Sequence, residues 1–313
     1  MSTEQKQQLA RIVAPVLFAV ASPALFVLEC TLGLLRGWRQ FDASGKTVVI
    51  TGASGGIGAA LAVAYARRGA VLVLVARNTA RLAAVQAECE AVGARKVTCL
   101  TVDVTRHADY AKALISANLG TIDLLVLNAG VSMGAYAADF ADAEPFTTLA
   151  HINYLAVVNG ILASLSLLRS NIANDKFRRP KIAVVSSVLG LAAAPTRSGY
   201  CASKFALKGF LDAFRLENPD IDCTMIYPGA VKTNINETRI GNVGNLDWEA
   251  KDVMSAEDAA RLIVDAVNRG ARDEIFTLKY NFFYYLGNLF PLVRDLLIVQ
   301  NFQKSTTLNK KHN

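Results

Sequence analysis

The chain has 313 residues, 52% of them hydrophobic and 19% charged, with a formal net charge of +7. This length is enough for one large α/β domain or two small ones. The basic residues are scattered along the chain, which argues against a nucleic-acid-binding protein. The mild positive charge suits an anionic cofactor or a membrane surface.

Cysteine and histidine are dispersed and indicate no metal site. The five cysteines are odd in number and lack zinc or Cys-x-x-Cys spacing, and His107, His151 and His312 form no cluster. Thiols in such a pattern are typical of reduced cysteines in a protein that faces the cytosol.

Residues 9–35 are strongly apolar, and residues 12–28 carry no charge. This uncharged stretch is at the short limit for a membrane-spanning helix, and Pro15 and Pro23 would kink it. We expect residues 1–40 to form a membrane anchor. A segment lying in one leaflet is the alternative, and a cleaved signal peptide fits the length less well. The excess of basic residues after the stretch favours a cytosolic position for the rest of the chain.

A glycine-rich turn joins the first predicted strand, residues 46–50, to a predicted helix over residues 57–68. The turn contains Gly52, Gly56 and Gly58. Glycines let the backbone approach a pyrophosphate closely, and the N-terminus of the following helix attracts negative charge. The turn therefore predicts a dinucleotide site.

The chain then alternates between strands and helices up to residue 280. Further strands are predicted over residues 70–76, 97–102, 122–127, 181–186, 222–227 and 275–278. Helices are predicted over residues 79–92, 108–119, 146–169 and 259–269, and from residue 200 onwards. This alternation predicts a single α/β domain over residues 41–280, with a doubly wound parallel sheet of about seven strands and helices on both faces.

Tyr200 and Lys204 are four residues apart, so a helix places them on one face. A nearby ammonium group favours the phenolate and lowers the pKa of a tyrosine. Such a tyrosine can exchange a proton with an alcohol or carbonyl oxygen. Ser187, at the end of the strand over residues 181–186, is placed to hydrogen-bond the same oxygen. This chemistry needs a hydride carrier, which the glycine-rich turn would bind.

These motifs together resemble the standard branch of the short-chain dehydrogenase/reductase family. The resemblance covers roughly residues 44–280 and includes TGxxxGxG at residues 51–58, Asn-Ala-Gly at residues 128–130 and Pro-Gly at residues 228–229. It implies a Rossmann fold with Ser187, Tyr200 and Lys204 as catalytic residues. The fourth catalytic residue of the family, an asparagine that holds a relay water, matches Asn153, with Asn159 as the alternative.

The resemblance also implies a set of residues that bind the cofactor. They are Gly52, Ser54, Gly56, Ile57, Gly58, Arg77, Asp103, Val104, Asn128, Ala129, Gly130, Tyr200, Lys204, Pro228, Gly229, Val231 and Thr233. Arg77 follows the second strand, where enzymes that prefer NAD often carry an acid. Because a guanidinium suits a 2′-phosphate, we predict NADP(H). An arginine that merely ends a strand at the surface is the alternative.

The last segment, residues 281–313, is apolar and aromatic and ends in a basic tail. Residues 280–302 are too interrupted to span a bilayer. They fit either a helix that packs on the domain or a partner subunit, or a helix that dips into a membrane beside the site. The terminal Lys310 and Lys311 resemble a retrieval signal of the endoplasmic reticulum, which predicts location at that membrane.

Within the family, the pattern is most similar to membrane-anchored 11β-hydroxysteroid dehydrogenase-like reductases. It implies a lipophilic substrate such as a steroid, a retinoid or a keto-lipid, and a homodimer. The polar residues 234–252 would close over that substrate. A 3-ketosphinganine reductase-like lipid enzyme is an alternative activity. A non-catalytic NADP(H)-binding scaffold at the membrane is the alternative of another class.

Overall fold

The structure, a computed structural model, describes residues 41–174, 179–241 and 253–309, together with Val27, Leu28 and Thr31. The expected membrane anchor falls outside these residues, apart from those three positions. The terminal dilysine also lies outside them, as do residues 242–252 of the polar segment over residues 234–252.

Seven parallel strands form one sheet in the order β3-β2-β1-β4-β5-β6-β7. They are β1 Thr47–Thr51, β2 Val71–Ala76, β3 Lys96–Thr101, β4 Leu124–Leu127, β5 Lys181–Val185, β6 Asp222–Tyr227 and β7 Asp273–Ile275. The chain winds outwards from β1 to β3, then crosses to β4 and winds the other way. A crevice opens at the carboxyl ends of the strands where the order reverses. The predicted doubly wound parallel sheet is confirmed.

Nine α-helices are present in the described part of the chain. They are α1 Gly56–Ala66, α2 Thr79–Ala91, α3 His107–Ser116, α4 Glu144–Ala150, α5 Ala156–Asn174, α6 Ser198–Glu217, α7 Ala256–Asn268, α8 Leu278–Leu289 and α9 Pro291–Asn309. Helices α1, α2 and α7 cover one face of the sheet, and α3, α5 and α6 cover the other. Alternate residues of β1 point to opposite faces, so Val48 and Ile50 join one core and Val49 joins the other.

One helical stretch among the described residues, Glu144–Ser170, is long and apolar enough to cross a membrane. Its Val157, Ile161 and Leu168 are buried against the sheet, as in a core helix of a globular domain. A π turn at His151–Leu155 interrupts this stretch between α4 and α5. Such turns are frequent at functional sites.

The last strand starts two residues and ends three residues earlier than the sequence predicts. It runs over Asp273–Ile275 rather than residues 275–278. Thr277 has a φ of 70° and directly precedes α8, so the strand direction cannot continue. The apolar Leu278 therefore begins a helix, although its side chain resembles those of the strand before it.

Candidate active site

A cavity of about 1550 Å³ lies at the carboxyl ends of the strands. Its walls come from the glycine-rich turn, the loops after β2 to β6, and the α8–α9 hairpin. Every residue that the sequence assigned to the site lines this cavity except Gly58 and Asn153. The strand-end convergence that the sequence predicts is therefore present.

The glycine-rich turn packs too tightly against main-chain atoms for side chains at two positions. Gly52 has a φ of 67°, and a Cβ there would lie 2.9 Å from the Cα of Ala129. A Cβ on Gly58 would overlap the carbonyl oxygen of Gly52. Gly58 thus lies behind the turn, where it lets α1 begin directly beneath the backbone. The turn leaves main-chain N–H groups of α1 without a side-chain cap, as an anion site requires.

Asn128 joins the end of β4 to this turn. Its side-chain Nδ2 donates to the carbonyl oxygens of Thr51 at 3.2 Å and Gly52 at 3.3 Å. Its backbone N–H donates to the Oγ1 of Thr51 at 3.0 Å. These bonds fix the two central strand ends against each other, so the turn is held in place before any ligand binds.

Arg77 and Asp103 lie together on the wall formed by the ends of β2 and β3. The Nη1 of Arg77 is 3.9 Å from the Oδ2 of Asp103, and two-thirds of the Arg77 side chain is exposed. Burial raises the pKa of Asp103, but hydrogen bonds from Thr105 and the nearby Arg77 and Arg106 outweigh it and hold that pKa below its usual value. Asp103 is therefore ionised at neutral pH.

Arg81 is a second guanidinium on this wall, and the sequence analysis missed it. It lines the cavity one helical turn into α2 and pairs with Glu237, whose Oε2 is 3.4 Å from its Nη2. The N-cap Asn78 accepts a hydrogen bond from the backbone of Arg81 at 2.9 Å, so the first turn of α2 is fixed. The feature of the sequence that could have identified Arg81 is its position three residues after a helix N-cap.

Ser187, Tyr200 and Lys204 meet on the opposite wall. Ser187 follows β5, and its hydroxyl lies close enough to Tyr200 to act on the pKa of the phenol. Lys204 lies one helical turn after Tyr200, with its Nζ 5.7 Å from the centre of the tyrosine ring. The same Nζ donates to the carbonyl oxygen of Val185 at 3.1 Å.

Burial changes the acidity of this pair in a direction that the sequence analysis did not anticipate. Burial raises the pKa of Tyr200 to about 12, although the Ser187 hydrogen bond and the Arg197 cation act to lower it. Burial also lowers the pKa of Lys204 to about 8. The expectation that Lys204 lowers the pKa of Tyr200 below its ordinary value is therefore wrong, because desolvation of the phenolate outweighs the nearby positive charges.

Asn153 lies behind the cavity wall, within the π turn, and is fully buried. Its Oδ1 accepts from the backbone N–H of Val131 at 2.8 Å. Its Nδ2 donates to the carbonyl oxygen of Val131 at 2.9 Å and to the Oγ of Ser203 at 3.0 Å. The structure thus gives Asn153 a role in joining the β4 loop to α6. Its predicted role in holding a relay water stays a prediction. Asn159 lies on α5 away from the cavity.

A helix over residues 280–302 that packs on the domain was one of the two expectations for this segment; the structure has two helices there, α8 and α9, which also form a wall of the cavity. In α8, Tyr280, Phe283 and Tyr284 have the i, i+3, i+4 spacing of one helix face, and all three line the cavity. In α9, Ile298 and Phe302 do the same. The available signal was this spacing of aromatic residues, but a sequence alone does not say what such a face covers.

Comparisons with known proteins agree with this arrangement. The family model described as short chain dehydrogenase matches residues 46–242. The chain is 32% identical over 262 residues to 11-beta-hydroxysteroid dehydrogenase A of Sesamum indicum, which covers 80% of this chain and 73% of that relative.

Two solved structures share the fold. An alcohol dehydrogenase from Thermococcus sibiricus, complexed with 5-hydroxy-NADP, has a TM-score of 0.64 and 27% identity, covering 75% of this chain and 96% of that one. A short-chain dehydrogenase/reductase from Burkholderia phymatum, in complex with NAD, has a TM-score of 0.70 and 24% identity, covering 79% and 94%.

We predict that Asn153→Leu destabilises the fold, whereas Asn159→Leu on the neighbouring helix does so much less. Leucine has a similar shape but leaves the N–H and C=O of Val131 without their partner, at a cost of about 2–4 kcal/mol in the free energy of unfolding. Urea unfolding of both variants measures this difference. Equal losses in the two variants would contradict the role assigned to Asn153.

Proposed function

The chain belongs to the short-chain dehydrogenase/reductase family, and we propose that it is an NADP(H)-dependent oxidoreductase that interconverts a carbonyl and a secondary alcohol on a lipophilic substrate. The observation that carries this proposal is that Ser187, Tyr200 and Lys204 line the same cavity as the glycine-rich turn. An acid/base pair and a dinucleotide cradle in one cavity are what hydride transfer to a carbonyl requires.

The residues of the glycine-rich turn fit a dinucleotide. Gly52 and Gly56 have no room for a side chain of their own, and the N-terminus of α1 beside them has no side-chain cap. Arg77 and Arg81 lie at the far end, where they would contact a 2′-phosphate. A bound nicotinamide cofactor would supply or accept the hydride.

The protein residues then handle the oxygen of the substrate. Ser187 holds a carbonyl oxygen by a hydrogen bond, and Tyr200 donates a proton to it in the direction of reduction. A pKa of about 12 keeps the phenol protonated at neutral pH, so Tyr200 is poised as an acid rather than as a base. Lys204, with a pKa of about 8, stays mainly charged at neutral pH and stabilises the phenolate that forms.

The substrate class is also part of the proposal. Aromatic and aliphatic side chains of α8 and α9 line the same cavity as Tyr200, as an apolar substrate body requires. The relative from Sesamum indicum is named for a hydroxysteroid, and a steroid, a retinoid or a keto-lipid fits this lining. The homodimer implied by the family resemblance stays a prediction.

We extend the proposal to a membrane surface. The outer face of the α8–α9 hairpin exposes large apolar side chains: Leu278, Phe282, Leu289, Leu292, Leu296 and Val299. Helices that are apolar on both faces are typical of segments buried in protein on one side and in lipid on the other. A lipophilic substrate would then reach the cavity from the bilayer that the hairpin touches.

We predict that Tyr200→Phe abolishes ketone reduction and leaves NADPH binding intact, because only the phenolic proton is removed. Steady-state turnover and NADPH fluorescence titration measure the two effects. Tyr110→Phe removes the hydroxyl of another buried tyrosine, outside the cavity, and should keep full activity. Near-normal turnover in Tyr200→Phe would refute the mechanism. If the native chain binds NADPH but reduces no ketone, the result would favour the non-catalytic NADP(H)-binding scaffold.

We predict that Arg77→Asp reverses a preference for NADPH over NADH. A charge-assisted contact to a 2′-phosphate is worth about 1.5–3 kcal/mol, which corresponds to about ten- to a hundredfold in affinity. Titration with both cofactors measures the ratio. Arg106→Asp makes the same charge change close to Asp103 but outside the cavity, so it should leave the ratio nearly unchanged. An unaltered ratio in Arg77→Asp would refute the NADP(H) assignment.

We predict that a tryptophan at position 282 contacts lipid. In Phe282→Trp, reconstituted as the full chain into vesicles with brominated acyl chains, the added fluorescence should be strongly quenched. The fluorescence added by Lys112→Trp, on the exposed side of α3, should not be quenched. Each signal is compared with that of the chain without the substitution. Equal quenching at the two positions would contradict membrane contact by the hairpin.

A further inference from the structure

Gly229 follows β6, and the side chain of Tyr280 from α8 lies directly on it. A Cβ on Gly229 would overlap the Cε2 of Tyr280 and would lie 2.9 Å from its Cζ and 3.0 Å from its hydroxyl oxygen. The φ of Gly229 is not in the left-handed region that favours glycine. Glycine is therefore required here by the close approach of the tyrosine ring and not by the backbone conformation.

A second contact holds the hairpin at the other side of the cavity. Phe302 of α9 packs edge-to-face on Tyr136 of the loop after β4, with ring centres 6.5 Å apart. Within the hairpin, α9 crosses α8 where Gly287 leaves room for Arg294, since a Cβ on Gly287 would lie 2.6 Å from the Cδ of that arginine. The hairpin thus spans the cavity from the loop after β6 to the loop after β4.

The contact at Gly229 is connected through the backbone to the wall of the cavity that carries Ser187, Tyr200 and Lys204. The carbonyl oxygen of Pro228, the preceding residue, accepts a hydrogen bond from the backbone N–H of Val188 at 3.0 Å. Val188 follows Ser187, whose hydroxyl lines the cavity together with Tyr200. The path from the ring of Tyr280 to the hydroxyl that would hold the substrate oxygen therefore runs through Gly229 and Pro228, across this hydrogen bond to Val188, and on to Ser187.

We propose that Tyr280 is a positioning and specificity-determining residue: it fixes the α8–α9 hairpin on Gly229 and so sets the wall against which the apolar body of the substrate packs. The inference rests on the proposed carbonyl reduction and goes beyond it by assigning substrate selection to one contact. Tyr280 is half-buried and lines the cavity together with Phe283 and Tyr284, so the same face that touches Gly229 also faces the substrate. Ketones with a large apolar body depend on this wall, whereas a ketone with no such body does not.

The test compares a 3-ketosteroid with cyclohexanone, which carries a ring carbonyl but no apolar body. In Tyr280→Ala, the ratio of kcat/KM for the steroid to that for cyclohexanone should fall at least about tenfold, mainly through KM for the steroid. Tyr280→Phe keeps the ring and should retain most of that ratio. Tyr285→Ala, an equal truncation at the neighbouring position that is 61% exposed, should keep the ratio within about twofold.

Gly229→Ala tests the contact itself. If the methyl group acts by displacing Tyr280, Gly229→Ala should weaken steroid binding, measured by equilibrium dialysis, about as much as Tyr280→Ala does. The double variant should then bind the steroid no more weakly than either single variant, because both remove one contact. Losses that multiply in the double variant, or a ratio that Tyr280→Ala leaves unchanged, would overturn the inference.

The binding measurement also separates this inference from the proposed function. If the native chain reduces neither ketone, the proposed reduction fails, but steroid binding by the same set of variants still decides the role of Tyr280. If the native chain reduces both ketones and the variants keep the steroid preference, the reduction stands and the role of Tyr280 fails.

Discussion

A line of hydrogen bonds joins the glycine-rich turn to α6, the helix that carries Tyr200 and Lys204, and the geometry of the site depends on it. Asn128 bonds the turn to the end of β4, and three residues later Val131 bonds the amide of Asn153 on both its N–H and its C=O. Asn153 then donates to Ser203, whose hydroxyl donates to the backbone of Tyr200 at 2.7 Å. The glycine-rich turn and Tyr200 are thereby fixed relative to each other. Every bond in this line is buried or partly buried, and a buried group left without its partner would cost free energy.

The fold and most of the site could be predicted because they depend on local patterns. Apolar runs gave the strands, the glycine spacing gave the turn, and the four-residue spacing placed Tyr200 and Lys204 on one face. Strand-end convergence, a property of every sheet of this kind, then brought distant motifs together. The end of β7 was misplaced because Ile275 and Leu278 look alike in sequence, and only the turn at Thr277 separates strand from helix.

What the sequence could not give depends on burial, which arises from the whole fold. The sequence shows that a lysine stands near Tyr200, and hence a cation that lowers its pKa. It does not show that both groups lose contact with water, and in the structure that loss is the larger effect on each. In the same way Gly58 and Asn153 belong to family motifs, yet each acts from behind the wall of the cavity. Their importance is in packing and hydrogen bonding, which spacing alone does not distinguish from ligand contact.

The α8–α9 hairpin lies wholly beyond residues 46–242, the part of the chain that the family model matches. The turn, Tyr200 and the central strands are therefore encoded in one stretch of sequence, and a wall of the cavity is encoded in another. Drift in the second stretch can reshape what the cavity accepts while the machinery in the first is left intact. Such a division makes the hairpin a separable module. Natural variation or recombination in that module can give relatives that share one chemistry and differ in substrate specificity.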